Sequence, residues 1–133
     1  MLAIRENEAA ARRCVELFNQ RRVREWVEAC YAQEAEWVEL PLPSSPNGRG
    51  GDREALCRAA EQVLRLIPDR QMQIRNLVAQ EDQVALELDW WGTAAASAGG
   101  LTAGAVVRLR VATFLTFVDG LIVRQTDYGV PIR

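Results

Sequence analysis

Histidine is absent from this sequence. That absence excludes imidazole-based triads, histidine proton shuttles and the common histidine-ligated metal sites, so no metal is expected. Cysteine is scarce. Cys14, Cys30 and Cys57 form an odd set without C-x-x-C spacing, the pattern of reduced thiols in a cytoplasmic protein rather than a disulfide framework. No apolar run approaches the length of a bilayer span, and the opening "MLAIRENEAA" lacks the basic and apolar segments of a signal peptide. Basic residues are scattered and the net charge is −2, which argues against nucleic-acid and membrane partners.

What the chain does have is enough apolar material for a core. It holds 133 residues, 49% of them hydrophobic, so the expectation is one domain over residues 1–133. Three helical patterns come first. Ala11, Cys14, Val15 and Phe18 recur at helical spacing, with Asn7 as a candidate N-cap. After the short link "NQRR", Val23, Trp26, Val27, Cys30 and Tyr31 form a second stripe. "AEWVELP" reads as a short strand ending at Pro41, and "PLPSSPNGRGG" as a loop. Asp52 can cap a third helix whose inner face carries Leu56, Ala59, Ala60, Val63 and Ile67, and Pro68 stops it.

Beyond Pro68 the period changes to two. "QMQIRNLVA", "QVALELDWWGT", "AVVRLRVATFLTFV" and "LIVRQTDYG" alternate, and Asp119-Gly120 is a hairpin signal. The expected class is therefore α+β, with three N-terminal helices packed on a curved antiparallel sheet. An apolar inner face takes Val84, Leu86, Leu88 and Trp90 from one strand, and Val107, Leu109, Val111, Thr113, Leu115 and Phe117 from the next. Glu87, Asp89, Arg108, Arg110 and Arg124 fall outside, as a solvated ladder or a dimer surface.

The same parity turns Leu121, Val123, Gln125 and Asp127 inward on the last strand. A carboxylate in an apolar hollow loses hydration, its pKa rises, and it becomes a better base near neutral pH. The alternative is that the strand ends early and leaves Asp127 at the sheet rim. Gln125 can orient a ligand carbonyl or be a satisfied amide in the wall. Asn76 interrupts the Met72, Ile74, Val78 alternation, as a polar pocket group or as a β-bulge. Trp90 is a pocket-wall candidate by parity, and Trp26 fills core or lines the pocket. Arg49 can reach over the cavity mouth or be solvated. Tyr31 and the cysteines read as structural.

Three phrases, "VELFNQRRVREWVEACYAQEAEWVELP", the helix after "GRGGDREAL" and "FVDGLIVRQTDYG", resemble the SnoaL-like polyketide cyclase branch of the nuclear transport factor 2-like (cystatin-like cone) superfamily. The resemblance implies a cone formed by a strongly curved, mixed or antiparallel sheet around an apolar pocket. It also implies a homodimer through the sheet. Relatives include ketosteroid isomerase and limonene-epoxide hydrolase, and position by position their machinery is missing. The isomerase base falls at Leu40, its tyrosine at Cys14 and its protonated aspartate at Thr113. The hydrolase arginine and second aspartate fall at Leu88 and Trp90, while its other aspartate matches Asp127. Two readings follow. One is a cofactor-independent cyclase or isomerase acting on a small apolar molecule, with Asp127 as base and Trp26, Leu40, Asn76, Leu88, Trp90, Thr113 and Gln125 around the ligand. The other is a non-catalytic ligand-binding or dimerisation domain. Epoxide hydrolysis ranks third.

Overall fold

The computed structural model describes residues 2–132. Helix α1 (Leu2–Asn19) and helix α2 (Val23–Cys30) are followed by strand β1 (Tyr31–Glu39), strand β2 (Arg49–Asp52) and helix α3 (Arg53–Leu66). Four long strands complete the chain: β3 (Gln71–Gln80), β4 (Gln83–Thr93), β5 (Val106–Val118) and β6 (Leu121–Pro131). They form one open six-stranded sheet in the order β2-β1-β6-β5-β4-β3. β1 runs parallel to β6 and every other pair is antiparallel, so the sheet is mixed and the class is α+β.

The helices lie on one face of the sheet, α1 over β3 and β4, and α3 over β1 and β2. Ala11, Cys14 and Val15 of α1 and Val23, Trp26, Val27 and Cys30 of α2 are buried against it, as their spacing requires. Asp52 caps α3, its carboxylate accepting from the Ala55 amide at 2.8 Å. The turn from β5 to β6 uses Asp119 (φ 52°) and Gly120 (φ 79°), both in the left-handed region that a two-residue hairpin needs.

Four expectations are corrected. Asn7 is not a cap: α1 begins at Leu2, because "LAIRE" is itself good helix-forming sequence, and Asn7 is buried with its amide directed at the Glu81 carbonyl (3.4 Å). Tyr31 does not close the α2 stripe. The helix stops at Cys30, and Tyr31 turns at once into extended backbone (φ −116°, ψ 136°) as the first residue of β1. Part of the "PLPSSPNGRGG" loop is strand β2, paired with β1 from Glu36↔Asp52 to Glu39↔Arg49. Gly50 makes that pairing possible, since a Cβ there would lie 2.9 Å from the Trp37 carbonyl oxygen.

The fourth correction concerns phase. The register of β5 with β6 slips between Thr116 and Phe117, so Thr116 pairs with Arg124 but Phe117 pairs with Ile122, and Val123 is the extra residue. Ile122, fully buried, therefore occupies the inner face expected of Leu121 and Val123. Past the bulge the phase is restored, and Gln125 and Asp127 face inward. A second slip, between Ile74 and Asn76, makes Arg75 the bulged residue of β3 and puts Leu77 rather than Val78 inward. Such bulges bend a sheet and increase its local twist.

On the outer face Asp89 accepts from Arg110 (2.7 Å) and from Arg75 (2.9 Å), and Glu87 lies 3.8 Å from Arg110. The outer charge ladder thus forms in part: of the three arginines expected in it Arg110 pairs, Arg108 and Arg124 make no ion pair among the described residues, and Arg75 joins as a member that the alternation had not marked. No helix among the described residues is long and apolar enough to cross a membrane.

Candidate functional site

Between the helices and the inner face of the sheet lies a cavity of about 410 Å³. That is within the ~300–1,000 Å³ range of small-molecule sites. Its wall is mainly apolar, with Phe18, Leu56, Val63, Met72, Leu86 and Leu109 among the contributors from α1, α3, β3, β4 and β5. The β1–β2 loop folds over one end. Leu42 lies on Gly129 of β6, where a Cβ at 129 would meet its Cδ2 at 3.0 Å. Gly129 is two residues from Asp127 on the same face.

Asp127 is the carboxylate held deepest in polar contacts. Thr113 Oγ1 donates to its Oδ1 at 2.8 Å, and Gln125 Nε2 donates to Oδ1 at 3.1 Å and Oδ2 at 3.0 Å. Gln125 is in turn fixed by the Tyr31 hydroxyl, which donates to its Oε1. The chain Tyr31–Gln125–Asp127 sets the amide orientation: its carbonyl faces the phenol and its NH2 faces the carboxylate. Burial is the main influence on Asp127 and raises its pKa from 3.8 to about 6. The Thr113 and Gln125 bonds favour the ionised form and oppose burial, as does Arg49, while Glu39 adds to it. Desolvation wins. Tyr31 is held neutral for the same first reason, with its pKa raised well above the ordinary phenol value by burial and by nearby Cys14 and Asp127.

Glu39 lies beside Asp127 across the β1–β6 pair and also borders the cavity. Arg49 holds Glu39 through a fork, Nε to Oε1 and Nη2 to Oε2, both 3.0 Å. The same guanidinium sits 5.8 Å from the centre of the Trp37 ring. Arg49 is thus tied down at the cavity edge.

Among the residues singled out by the sequence, Trp26, Leu88, Trp90, Thr113, Gln125 and Asp127 are brought together in the cavity wall. Trp26 is doubly committed: its indole N–H donates to Cys14 Sγ (3.3 Å), and its ring packs edge-on against Phe18 and Tyr31. Leu40 and Asn76 are not in the wall. Trp37 and Glu39 take the inward phase of β1, so Leu40 falls out of phase and meets β6 through its amide, which donates to the Asp127 carbonyl at 2.9 Å. Asn76 is exposed, because the bulge at Arg75 turns it away from the inner face.

Glu39, Tyr31 and Arg70 belong to the wall without having been singled out for it. Glu39 was legible, since it alternates with Ala35 and Trp37 and so shares their face. Tyr31 was hidden by the helix stripe. Trp37 also stands in the wall, and its indole N–H is buried without a partner. Arg70 sits in the four-residue connection between α3 and β3, with no periodicity to mark it.

A curved mixed sheet with three helices on one face and an apolar hollow between them places the chain in the nuclear transport factor 2-like class. The profile of the SnoaL-like domain matches residues 11–125, so the chain belongs to the SnoaL-like family. No curated protein matches the sequence significantly. Similar solved structures include AclR, a proposed hydroxylase from Streptomyces galilaeus, with a TM-score of 0.80 at 20% identity over 95% of this chain and 79% of that one. IdmH, a proposed polyketide cyclase from Streptomyces antibioticus, gives 0.79 at 20% identity over 92% and 91%. A proposed ketosteroid isomerase from Kribbella flavida gives 0.68 at 24% identity over 98% and 82%. At these identities the likeness establishes the fold alone.

Proposed function

We propose that this SnoaL-like protein binds a small apolar carbonyl compound in its cavity and moves a proton with Asp127, as a cofactor-independent cyclase or isomerase. The observation that carries this reading is a carboxylate of pKa about 6 inside an apolar hollow, oriented by Thr113 and Gln125. At pH 7 roughly nine in ten such groups are ionised and ready to accept a proton. Asp127 would remove a proton from the carbon next to the ligand carbonyl; the C–H electron pair would form a C=C bond to the carbonyl carbon and the C=O π pair would move onto oxygen, giving an enolate. In an isomerase the proton returns to another carbon. In a cyclase the enolate carbon forms a C–C bond to a second carbonyl, whose oxygen takes a proton. The unpartnered Trp37 N–H, on the strand that pairs with Gln125, is the candidate donor to the enolate oxygen.

The test uses 2-tetralone, an apolar ketone with acidic α-hydrogens, in deuterated buffer. The protein is expected to accelerate its hydrogen–deuterium exchange, and Asp127→Asn to remove roughly 10²–10⁴ of that rate. Equal exchange with both proteins would leave a binding domain as the surviving reading. What favours that second reading is the closed Tyr31–Gln125–Asp127 chain, which already satisfies the carboxylate internally. Epoxide hydrolysis is the least supported, because Leu88 and Trp90 stand where its arginine and second acid would be.

The outer face of the sheet supports a homodimer as partner. Phe114 and Tyr128 meet edge-to-face at 5.9 Å and are 52% and 49% exposed, beside Val130 at 59%. Apolar surface of this kind favours burial against a second copy. Light scattering is expected to give the dimer mass for the parent and the monomer mass for Phe114→Glu; a monomeric parent would refute the pairing.

A further inference from the structure

Arg70 is the largest fully buried side chain among the described residues, 1% exposed, and it stands in the cavity wall. Its Nη1 donates to the Phe18 carbonyl at 2.6 Å, at the C-terminal end of α1, and its guanidinium lies flat over the Phe18 ring, 3.6 Å from the centroid. The remaining edge is unused. Nε and Nη2 are both buried without a hydrogen-bond partner, and no ion pair to Arg70 occurs among the described residues. The adjacent carboxylate, Asp69, is turned away and accepts from the Thr93 amide at 2.7 Å. The nearest charge acting on Arg70 is another cation, Arg21.

The backbone that presents this arginine is clamped on every side. Arg21 donates to the Arg70 and Asp69 carbonyls (3.3 and 3.1 Å), and Asn19 both donates to and accepts from Met72 (2.8 Å each). Gly92 of β4 lets the loop press against the sheet; a Cβ there would lie 3.0 Å from the Arg70 Cα and 2.3 Å from Ile67 Cγ2. A capping role explains one nitrogen. It does not explain why a cation buried at this depth keeps two donors unpaired, an arrangement that is costly until a counter-charge arrives.

Nε–H and the adjacent Nη2–H point the same way, spaced to match the two oxygens of a carboxylate. The chain shows what such an edge holds: in Arg49 the same two nitrogens grip the Glu39 carboxylate, 3.0 Å each. We propose that Arg70 is a ligand-binding residue that receives a carboxylate on the apolar ligand, so that the substrates of this cavity are apolar carboxylic acids. The inference rests on the pocket function proposed above and narrows its ligand class. In the present conformation both nitrogens are covered, so binding slides the guanidinium across the Phe18 face to bring the edge into the cavity. Asp127 enters the cavity from β6 and Arg70 from the α3–β3 connection, which separates the group that holds the acid from the group that moves the proton.

The test compares 2-naphthoate with its neutral counterpart, methyl 2-naphthoate, by calorimetry at pH 7. The parent protein is expected to bind the acid about 10- to 100-fold more tightly than the ester, the span of a charge-assisted pair. Arg70→Met should erase that preference, bringing the acid and the ester to equal affinity, and Arg70→Lys should retain part of it. Circular dichroism checks folding of each variant. Should Arg70→Met not fold, the parent preference and Arg70→Lys decide. An ester bound as tightly as the acid by the parent overturns the proposal and leaves the pocket reading standing, as does an Arg70→Met protein that keeps the full preference. Failure of both compounds to bind overturns the pocket reading itself.

Discussion

Asp127→Asn is expected to be more stable than the parent protein at pH 8, and to lose that advantage as the pH falls towards 4. The folded pKa of Asp127, about 6, lies above its reference value of 3.8. A carboxyl shifted upwards holds its proton more tightly in the folded state than in the unfolded chain. Its contribution is therefore most favourable below 3.8, and stability is lost as the pH rises from there to about 6, beyond which the loss is constant. At about 1.4 kcal/mol per pH unit, the loss is on the order of 3 kcal/mol, an upper figure because Asp127 retains some exposure to the cavity. Asparagine keeps the shape and an oxygen for Thr113 but never ionises, so it escapes the loss.

The measurement is thermal or urea unfolding of both proteins at half-unit steps from pH 4.5 to 8, with an NMR titration of the Asp127 carboxyl alongside. The gap between the two proteins should widen up to pH 6 and then hold. A gap that stays flat, or a carboxyl titrating near 4, would mean that the side chain is well hydrated, and the general-base proposal would go with it. A residue whose replacement stabilises the fold while removing the reaction is one retained for function at the expense of stability.

Legibility in the sequence followed the length of unbroken alternation. Val84 to Trp90 and Val107 to Phe117 each alternate without interruption, so their inner faces were readable residue by residue, and Leu88, Trp90 and Thr113 stand where parity puts them. Strand β2 could not be read, because Arg49-Gly50-Gly51-Asp52 has no side-chain period and is held by its backbone pairing to β1. Tyr31 was misplaced by one boundary: it continues the α2 stripe at i+4 from Val27, and only its extended backbone assigns it to the sheet and thereby to Gln125. Arg70 left no sequence signal, since a loop arginine is ordinarily solvated and its burial depends on hydrogen bonds from Asn19 and Arg21 and on the close approach that Gly92 of β4 allows. The site is thus half visible: the strands announce their inward residues, while the groups that orient and charge the cavity come from junctions.

Placing both Ile122 and Asp127 on the inner face depends on the bulge at Val123, and this has a direct consequence. Ile122 and Asp127 are separated by an odd number of residues, so an unbroken strand would put them on opposite faces. Here Ile122 pairs with Phe117 and with Tyr31, and all three are buried in the core. Ile122→Ala is expected to cost about 2–5 kcal/mol, because the closely packed helices and flanking strands cannot collapse fully into the space left. Leu121→Ala, at a partly exposed hairpin position, should cost less than half as much. Urea unfolding at pH 7 resolves that difference readily. If Leu121 proved the costlier of the two, the strand would be running in the simple phase that its sequence suggests, and Ile122 would face outwards.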